Sequence, residues 1–251
     1  MLLKAILWLR SILISIPLIV LGTGVTASLG IVLSWFRPRS VGLDRIKKTW
    51  ARLVLSCAFV RLQVQGQANI PSDRAVLFCS NHLSYLDPPA LVVASDRPVQ
   101  FLAKQSLFHI PFLGWAMRRM GDISIDRENP RAAARSLRQA AAATRAGASI
   151  IVFPEGSRSR DGQLQPFLSG AFRMAIQAQV PVVPVAIRGS RAALRPGSLL
   201  FLGGGVRITF GEPIAFETLA LKGPSSMANR VEQVVRQLLA ADESSNGGNV
   251  R

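Results

Sequence analysis

Acidic residues, histidine and cysteine are all scarce in this chain. Its 251 residues include 14 Asp+Glu against 30 Lys+Arg, two histidines, two cysteines and one tyrosine. At 49% hydrophobic and 18% charged, it lies outside the low-hydrophobicity, high-charge regime that leaves a chain disordered. One histidine in a candidate ligand loop and no cysteine pair at ligand spacing are too few soft ligands for a metal enzyme, so no metal is expected. Cys57 and Cys79 lie in separate apolar segments and are expected as buried, reduced thiols, which suits a cytoplasmic domain. No GxSxG elbow is present, which speaks against a hydrolase built on a serine nucleophile. There is no internal repeat and no second long apolar run, so a multi-span transporter is excluded. A non-enzymatic, basic, membrane-attached nucleic-acid binder is permitted by the net charge of +16. Against it stand the single tyrosine, the dispersed basic residues and the lack of a recognisable binding module.

The positive charge is unevenly spread. Residues 1–61 hold nine basic residues and one acid, Asp44, so half of the net charge sits on about a quarter of the chain. That quarter is also the most apolar, a combination that fits an anionic surface over an oily interior. From Ser11 to Phe36 no charge occurs, and ~20 residues suffice to cross the hydrocarbon core. Trp8 and Trp35 lie near the ends, where indoles favour the interface. A cleaved signal peptide, the rival, would have a shorter apolar core and no basic cluster directly after it. Here Arg37, Arg39, Arg45, Lys47, Lys48 and Arg52 follow, so a retained anchor is expected. Trp50, Leu53, Val54, Cys57 and Val60 recur at helical spacing and predict a second, amphipathic helix lying against the membrane. Arg37-Pro38-Arg39 is the expected corner. If the first helix spans, the basic cluster after it puts the main domain in the cytoplasm.

From about residue 62 short apolar runs alternate with helical segments. Expected strands are 62–65, 75–79, 100–103, 122–126, 149–153, 182–187 and 206–210. Expected helices are 88–95, 107–119, 130–146, 169–179 and 224–241. This alternation predicts an α/β domain, 62–241, with a mainly parallel mixed sheet flanked by helices. The two-helix membrane segment, 1–61, precedes it, and a polar tail, 242–251, is expected to be disordered. The helix at 130–146 has clear punctuation: Asn129 as N-cap, Pro130 at the first position and Gly147 at the end. Arg131, Arg135 and Arg138 share one of its faces, either solvated or in contact with an anionic partner.

Three loops collect reactive groups where strands end, the usual ligand position in such sheets. Asn81-His82-Leu83-Ser84-Tyr85-Leu86-Asp87 follows one strand. A five-residue separation leaves His82 and Asp87 about 140° apart on an ideal helix, and Asp87 precedes Pro88, which disfavours helix there. A compact turn, with Asp87 capping the next helix, would instead bring the carboxylate to the imidazole and support a His–Asp base pair. His109, flanked by apolar residues, is expected to be structural. Phe153-Pro154-Glu155-Gly156-Ser157-Arg158-Ser159-Arg160 ends another strand with guanidinium and hydroxyl groups suited to a phosphate. Gly121 to Arg127 ends a third. A base beside phosphate ligands suggests a transferase acting on a phosphorylated alcohol.

These segments resemble the glycerolipid acyltransferases. Asn81-His82 with Asp87 matches that family's NHxxxxD motif, and Phe153 to Arg158 resembles its FPEGTR motif. Gly121 to Arg127 resembles the motif between them, and Val180-Pro181-Val182-Val183-Pro184-Val185 the fourth block. Phe101-Leu102-Ala103-Lys104 is also familiar from the family. The nearest members are the bacterial 1-acyl-sn-glycerol-3-phosphate acyltransferases, which share the two-helix membrane segment. The resemblance implies transfer of an acyl chain from acyl-CoA or acyl-carrier protein to lysophosphatidic acid in phospholipid biosynthesis, with no cofactor beyond that co-substrate. It makes His82 the general base and Asp87 its orienting carboxylate. It assigns the acceptor's phosphate to Lys104, Arg127 and Arg158, has Glu155 and Gly156 shape that loop within reach of the glycerol, and counts Ser157 among the substrate-binding residues. It also implies the bacterial inner membrane, with the catalytic domain on the cytoplasmic side. The sequence departs from the family at Ser157, where Thr is usual, at Ser124, and at Leu168 and Ser169, where a Phe-Lys-x-Gly pattern carries a cation. Another lysolipid acceptor, a lysophospholipid or a lyso-ornithine lipid, therefore stays open.

Overall fold

A computed structural model describes residues 2–38, 40–217 and 223–246. Arg39, at the expected corner, and residues 247–251 of the expected tail lie outside the described residues.

The chain opens with a helix over Leu2–Phe36, long and apolar enough to cross a membrane by length and composition. It consists of α1 (Leu2–Arg10), a π-helical turn (Ser11–Ser15) and α2 (Ile16–Phe36). The π turn sits where the helix meets the α/β domain. Ser11 Oγ there accepts a hydrogen bond from the Phe201 N–H at 3.0 Å, and Arg10 donates to the Phe201 carbonyl. After the bend, α3 (Val41–Cys57) returns antiparallel to α2. Leu53 lies against Gly22, Trp50 Nε1 donates to Thr23 Oγ1 at 3.0 Å, and Leu33 faces Gly42.

The amphipathic α3 lies differently from the expectation. Its apolar face, with Ala51, Val54 and Leu55, is buried in the same core as the sheet, while Arg45, Thr49, Arg52 and Ser56 are exposed. The α/β domain provides the apolar surface that a membrane was expected to supply. The core therefore runs across residue 61 without a break. Lys47 also turns inward. Its ammonium lies 2.7 Å from Asp122 Oδ1 and donates to the Val99 carbonyl at 3.0 Å, with both side chains almost fully buried. The same Asp122 oxygen accepts from the Phe101 N–H at 2.8 Å. Removing one partner of such a pair leaves a buried unpaired charge, at a cost of ~3–5 kcal/mol.

Among the described residues seven strands form one sheet: β1 (Val60–Gln65), β2 (Leu77–Ser80), β3 (Val99–Lys104), β4 (Ile123–Ile125), β5 (Ser149–Val152), β6 (Val182–Arg188) and β7 (Gly204–Phe210). They stand in the order β1-β7-β6-β2-β5-β3-β4. Every pair is parallel except β6–β7, which places β1 and β7 against the direction of the rest. All seven expected strands are present.

Successive side chains of a strand point to opposite faces, and two cores follow from this. Phe78, Ile151, Val183 and Val185 pack on one face with α3 and α4 (Asp87–Ala94). Leu77, Cys79, Ile150 and Val152 pack on the other with α6 (Pro130–Arg145), α7 (Gly170–Ala178) and α9 (Gly223–Asn246). Cys79 is fully buried and Cys57 only half-buried; both are free thiols.

The cap of α6 is as read from the sequence: Asn129 Oδ1 accepts from the N–H groups of Arg131 and Ala132, both at 3.1 Å. The helix expected over 107–119 is broken. A 3₁₀ turn (Gln105–His109) and α5 (Leu113–Arg119) replace it, split at Pro111 and at Phe112, whose φ is +60°. The residue before a proline avoids the helical region, so the break had a sequence signal in Ile110-Pro111. α8 (Ser190–Ala193) is a short turn of helix. α9 continues to Asn246, past the start of the expected tail.

Candidate active site

The strands β2, β5, β3 and β4 are neighbours and parallel, so their carboxyl ends lie side by side. Loop 81–86 follows β2, loop 153–160 follows β5, Lys104 ends β3, and Arg127 follows β4. The topology thus gathers the three motif loops along one edge of the sheet, as expected for ligand binding in α/β sheets.

The first loop is fastened at several points. The Asn81 side chain donates to the Ile187 carbonyl at 2.9 Å and accepts from the Ile187 N–H at 2.7 Å, which ties the loop to β6. Ser84 Oγ donates to the Leu194 carbonyl at 2.8 Å. Asp87 is fully buried, and its Oδ2 accepts from the Leu83 N–H at 2.6 Å and the Ser84 N–H at 2.8 Å. The same oxygen lies 2.8 Å from His82 Nδ1. An oxygen that already accepts from two backbone N–H groups is placed as an acceptor, so Nδ1 is the donor in the contact with Oδ2. That fixes the tautomer with the Nε2 lone pair free to act as a base. Asp87 Oδ1 is buried without a hydrogen-bond partner among the described residues. The predicted turn is therefore present, with one difference. Asp87 is the first residue of α4 rather than its cap, which is Leu86, and its carboxylate reaches backward to the loop.

Phe153 holds the imidazole from another side. The two rings stack with centroids 3.9 Å apart and planes 17° from parallel. No spacing rule points to this contact, because the two rings lie in loops that follow different strands.

The second loop holds Glu155 to Arg158. Glu155 is buried and faces away from the cavity described below. Its Oε1 accepts from the His82 N–H at 2.6 Å and its Oε2 from the Gln165 N–H at 2.9 Å. The carboxylate expected to lie near the acceptor's glycerol instead clasps the two loops together. Burial pushes its pKa up to about 7, against the lowering effect of the two N–H donors. The Ser159 N–H reinforces the clasp by donating to the His82 carbonyl at 2.9 Å. Gly156 has φ +81°, and a Cβ there would meet the Leu168 side chain at 3.0 Å, so the turn needs glycine. The Arg158 guanidinium lies 3.5 Å from the centroid of the half-exposed Tyr85 ring, and its Nη1 is buried without a hydrogen-bond partner among the described residues.

A cavity of about 670 Å³ lies along these groups. His82, Lys104, Arg127, Gly156, Ser157 and Arg158 all line it, while Asp87 and Glu155 stand behind its wall. The rest of the lining is largely apolar, with Ala27 of α2, Trp50 of α3, Leu102 of β3, Met117 of α5 and Met120 just after it. Thr26, the Lys47–Asp122 pair and Glu128 are among the polar exceptions. The N-terminal helices thus form part of the site. The other histidine, His109, expected to be structural, is exposed on the 3₁₀ turn and does not line the cavity. At Leu168 and Ser169 no cation replaces the expected lysine; Leu168 is exposed and packs on Gly156.

The family model described as Acyltransferase matches residues 61–188. Over 171 residues the chain is 38% identical to the 1-acyl-sn-glycerol-3-phosphate acyltransferase BAT2, chloroplastic, of Brassica napus, a match covering 67% of this chain and 49% of that protein. Over 136 residues it is 34% identical to the 1-acyl-sn-glycerol-3-phosphate acyltransferase of Borreliella burgdorferi, covering 54% of each. Among solved structures, the 1-acyl-sn-glycerophosphate (LPA) acyltransferase PlsC of Thermotoga maritima superposes with a TM-score of 0.79 at 26% identity, covering 96% of this chain and 97% of that one. The chain spans about half the length of the plant relatives it matches.

Proposed function

The chain belongs to the acyltransferase family, and on that premise we propose that it acylates the sn-2 hydroxyl of 1-acylglycerol 3-phosphate, giving phosphatidic acid. The observation that carries this reading is the His82–Asp87 pair, 2.8 Å apart, on a cavity that also has Lys104, Arg127 and Arg158 in its walls and a largely apolar remainder. The cations suit a phosphate, and the apolar part suits an acyl chain.

In this scheme the acceptor hydroxyl gives its proton to His82 Nε2 while its oxygen attacks the thioester carbonyl carbon. The tetrahedral adduct then collapses, the C–S bond breaks, and the thiol leaves with the proton returned by the imidazolium. Asp87 stays ionised and stabilises the imidazolium. General-base help of this kind is worth ~10²–10⁴-fold in rate. The donor is acyl-CoA or acyl-carrier protein, and no further cofactor is required. We place the protein at the inner membrane with the catalytic domain on the cytoplasmic side; the length and apolar composition of Leu2–Phe36 support a membrane site, and the basic residues that follow it support the cytoplasmic side. Residues 1–61 then anchor the domain that follows.

A second reading, the same chemistry on another lysolipid headgroup, is favoured by one observation: Leu168 presents a side chain without charge beside Gly156. An acceptor panel separates the two. Purified protein is given lysophosphatidic acid, glycerol 3-phosphate and zwitterionic or ornithine lysolipids, each with labelled acyl-CoA and, separately, with labelled acyl-carrier protein. Preferred turnover of lysophosphatidic acid is expected. Turnover of a zwitterionic lysolipid alone would sink the phosphate assignment, and no turnover with any acceptor or either donor would sink the reading itself.

A further inference from the structure

Outside the N-terminal helix, Ile110, Phe112 and Trp115 form a compact exposed apolar lobe, 44%, 49% and 52% exposed. The Phe112 and Trp115 rings pack at 5.4 Å. Phe112 is held at φ +60°, ψ −57°, a conformation a non-glycine residue keeps only where its surroundings impose it. Two exposed arginines, Arg118 and Arg119, follow one turn later, and the Arg118 guanidinium lies over the ring of buried Phe108 at 5.7 Å.

The opposite face of α5 lines the cavity with Leu113, Ala116 and Met117, and Met120 just after the helix joins them. α5 is therefore a wall one helix thick, with apolar side chains toward the cavity and, on its outer side, exposed Trp115 followed by Arg118 and Arg119. A surface helix in contact with water carries an apolar stripe on its inner side only. The neighbouring helix continues the outer apolar surface. Met120 packs on Gly30 of α2, and Val25, Leu29 and Val32 of α2 are each at least half exposed. Aromatic rings with arginine one turn away are the composition of a bilayer interface.

We propose that the Ile110–Trp115 lobe inserts into an anionic bilayer as a second membrane element, and that α5 and α2 together form a doorway. An acyl chain passes through it sideways between the lipid and the cavity. The insertion stands without the acyltransferase reading; the doorway rests on it.

Two measurements test this on the full-length protein. The first reconstitutes it in vesicles of phosphatidylglycerol and phosphatidylethanolamine with brominated acyl chains and reads tryptophan quenching. Trp115→Phe should remove a distinct quenchable fraction. An unchanged quenchable fraction overturns the insertion, including the case where a second copy of the chain covers the lobe. The second compares acceptors for the double variant Phe112→Ser/Trp115→Ser. Its kcat/KM should fall about tenfold for a long-chain lysolipid presented in vesicles. Turnover of a short-chain, monomeric acceptor should stay within about twofold. An equal fall on both acceptors, or on neither, overturns the doorway. If wild-type protein turns over no acceptor, the proposed reaction fails, while the quenching result still decides the insertion.

Discussion

In the loop 81–86, Asn81, Ser84 and His82 each meet a protein partner: Ile187, Leu194 and Asp87. In the loop 153–160, the Arg158 guanidinium rests on Tyr85 with one nitrogen buried and unmatched among the described residues, and Ser157 is exposed. The two loops share one cavity and are tied by Glu155, yet they are finished to different degrees. The imidazole is fixed in tautomer and orientation before any substrate arrives. The cationic side has capacity left for an anion. Preorganising the reacting group lowers the barrier, whereas groups that complete their contacts on a substrate mainly set its affinity.

If that division holds, the largest loss comes from the first loop. His82→Ala and Asp87→Asn should each lower kcat on the order of 10²–10⁴-fold, measured as initial rates with purified protein at saturating acceptor. An amide at position 87 would put an NH₂ or a neutral oxygen where three donors now converge, so the tautomer is no longer imposed. Near-wild-type kcat for Asp87→Asn would mean that the pair is structural and that the first loop is not specially prepared.

The second loop should respond in affinity. Arg158→Ala is expected to raise the acceptor KM about 10–100-fold with a smaller change in kcat. Arg158→Lys should recover only part of it, because an ammonium lacks the planar fork and stacks poorly on Tyr85. A kcat loss as large as that of His82→Ala would erase the distinction between the loops. A change confined to the donor's KM would move Arg158 from the acceptor to the thioester.

The sequence made the first loop legible and much of the second. Asn81, His82 and Asp87 lie within seven residues, and the turn that joins His82 to Asp87 follows from a proline and a failed helical phase. The strands were legible because buried parallel strands read as short continuous apolar runs. What stayed hidden depends on partners far away in sequence. Lys47 looked like one more member of a basic collar, but its acid is Asp122, 75 residues on, and no spacing rule links them. Glu155 looked like a substrate contact until its two acceptor oxygens were seen to hold His82 and Gln165, which turns it into a tether. The stacking of Phe153 on His82 depends on β2 and β5 being neighbours, and strand order is not written in periodicity.

Glu155 offers the finest test, because it belongs to one loop and grips the other. Its folded pKa of about 7 stands above the ordinary 4.5, so the folded state binds this proton more tightly than the unfolded chain does. The resulting stability is fully present below pH 4.5, declines as pH rises, and is lost through about pH 7. The swing amounts to ~1–3 kcal/mol. Glu155→Gln is neutral throughout and keeps one acceptor oxygen, but it turns an NH₂ toward the other N–H donor. The thermal midpoint of the wild type, followed in detergent micelles, should fall more between pH 5 and pH 8 than that of the variant. The variant should start lower at pH 5 because one tether is weakened, and its acceptor KM should shift little, since this side chain does not line the cavity. Parallel pH profiles for the two proteins would show that the clasp is held by something other than this carboxyl group. The Ser159 N–H to His82 carbonyl bond would then be the contact to break next.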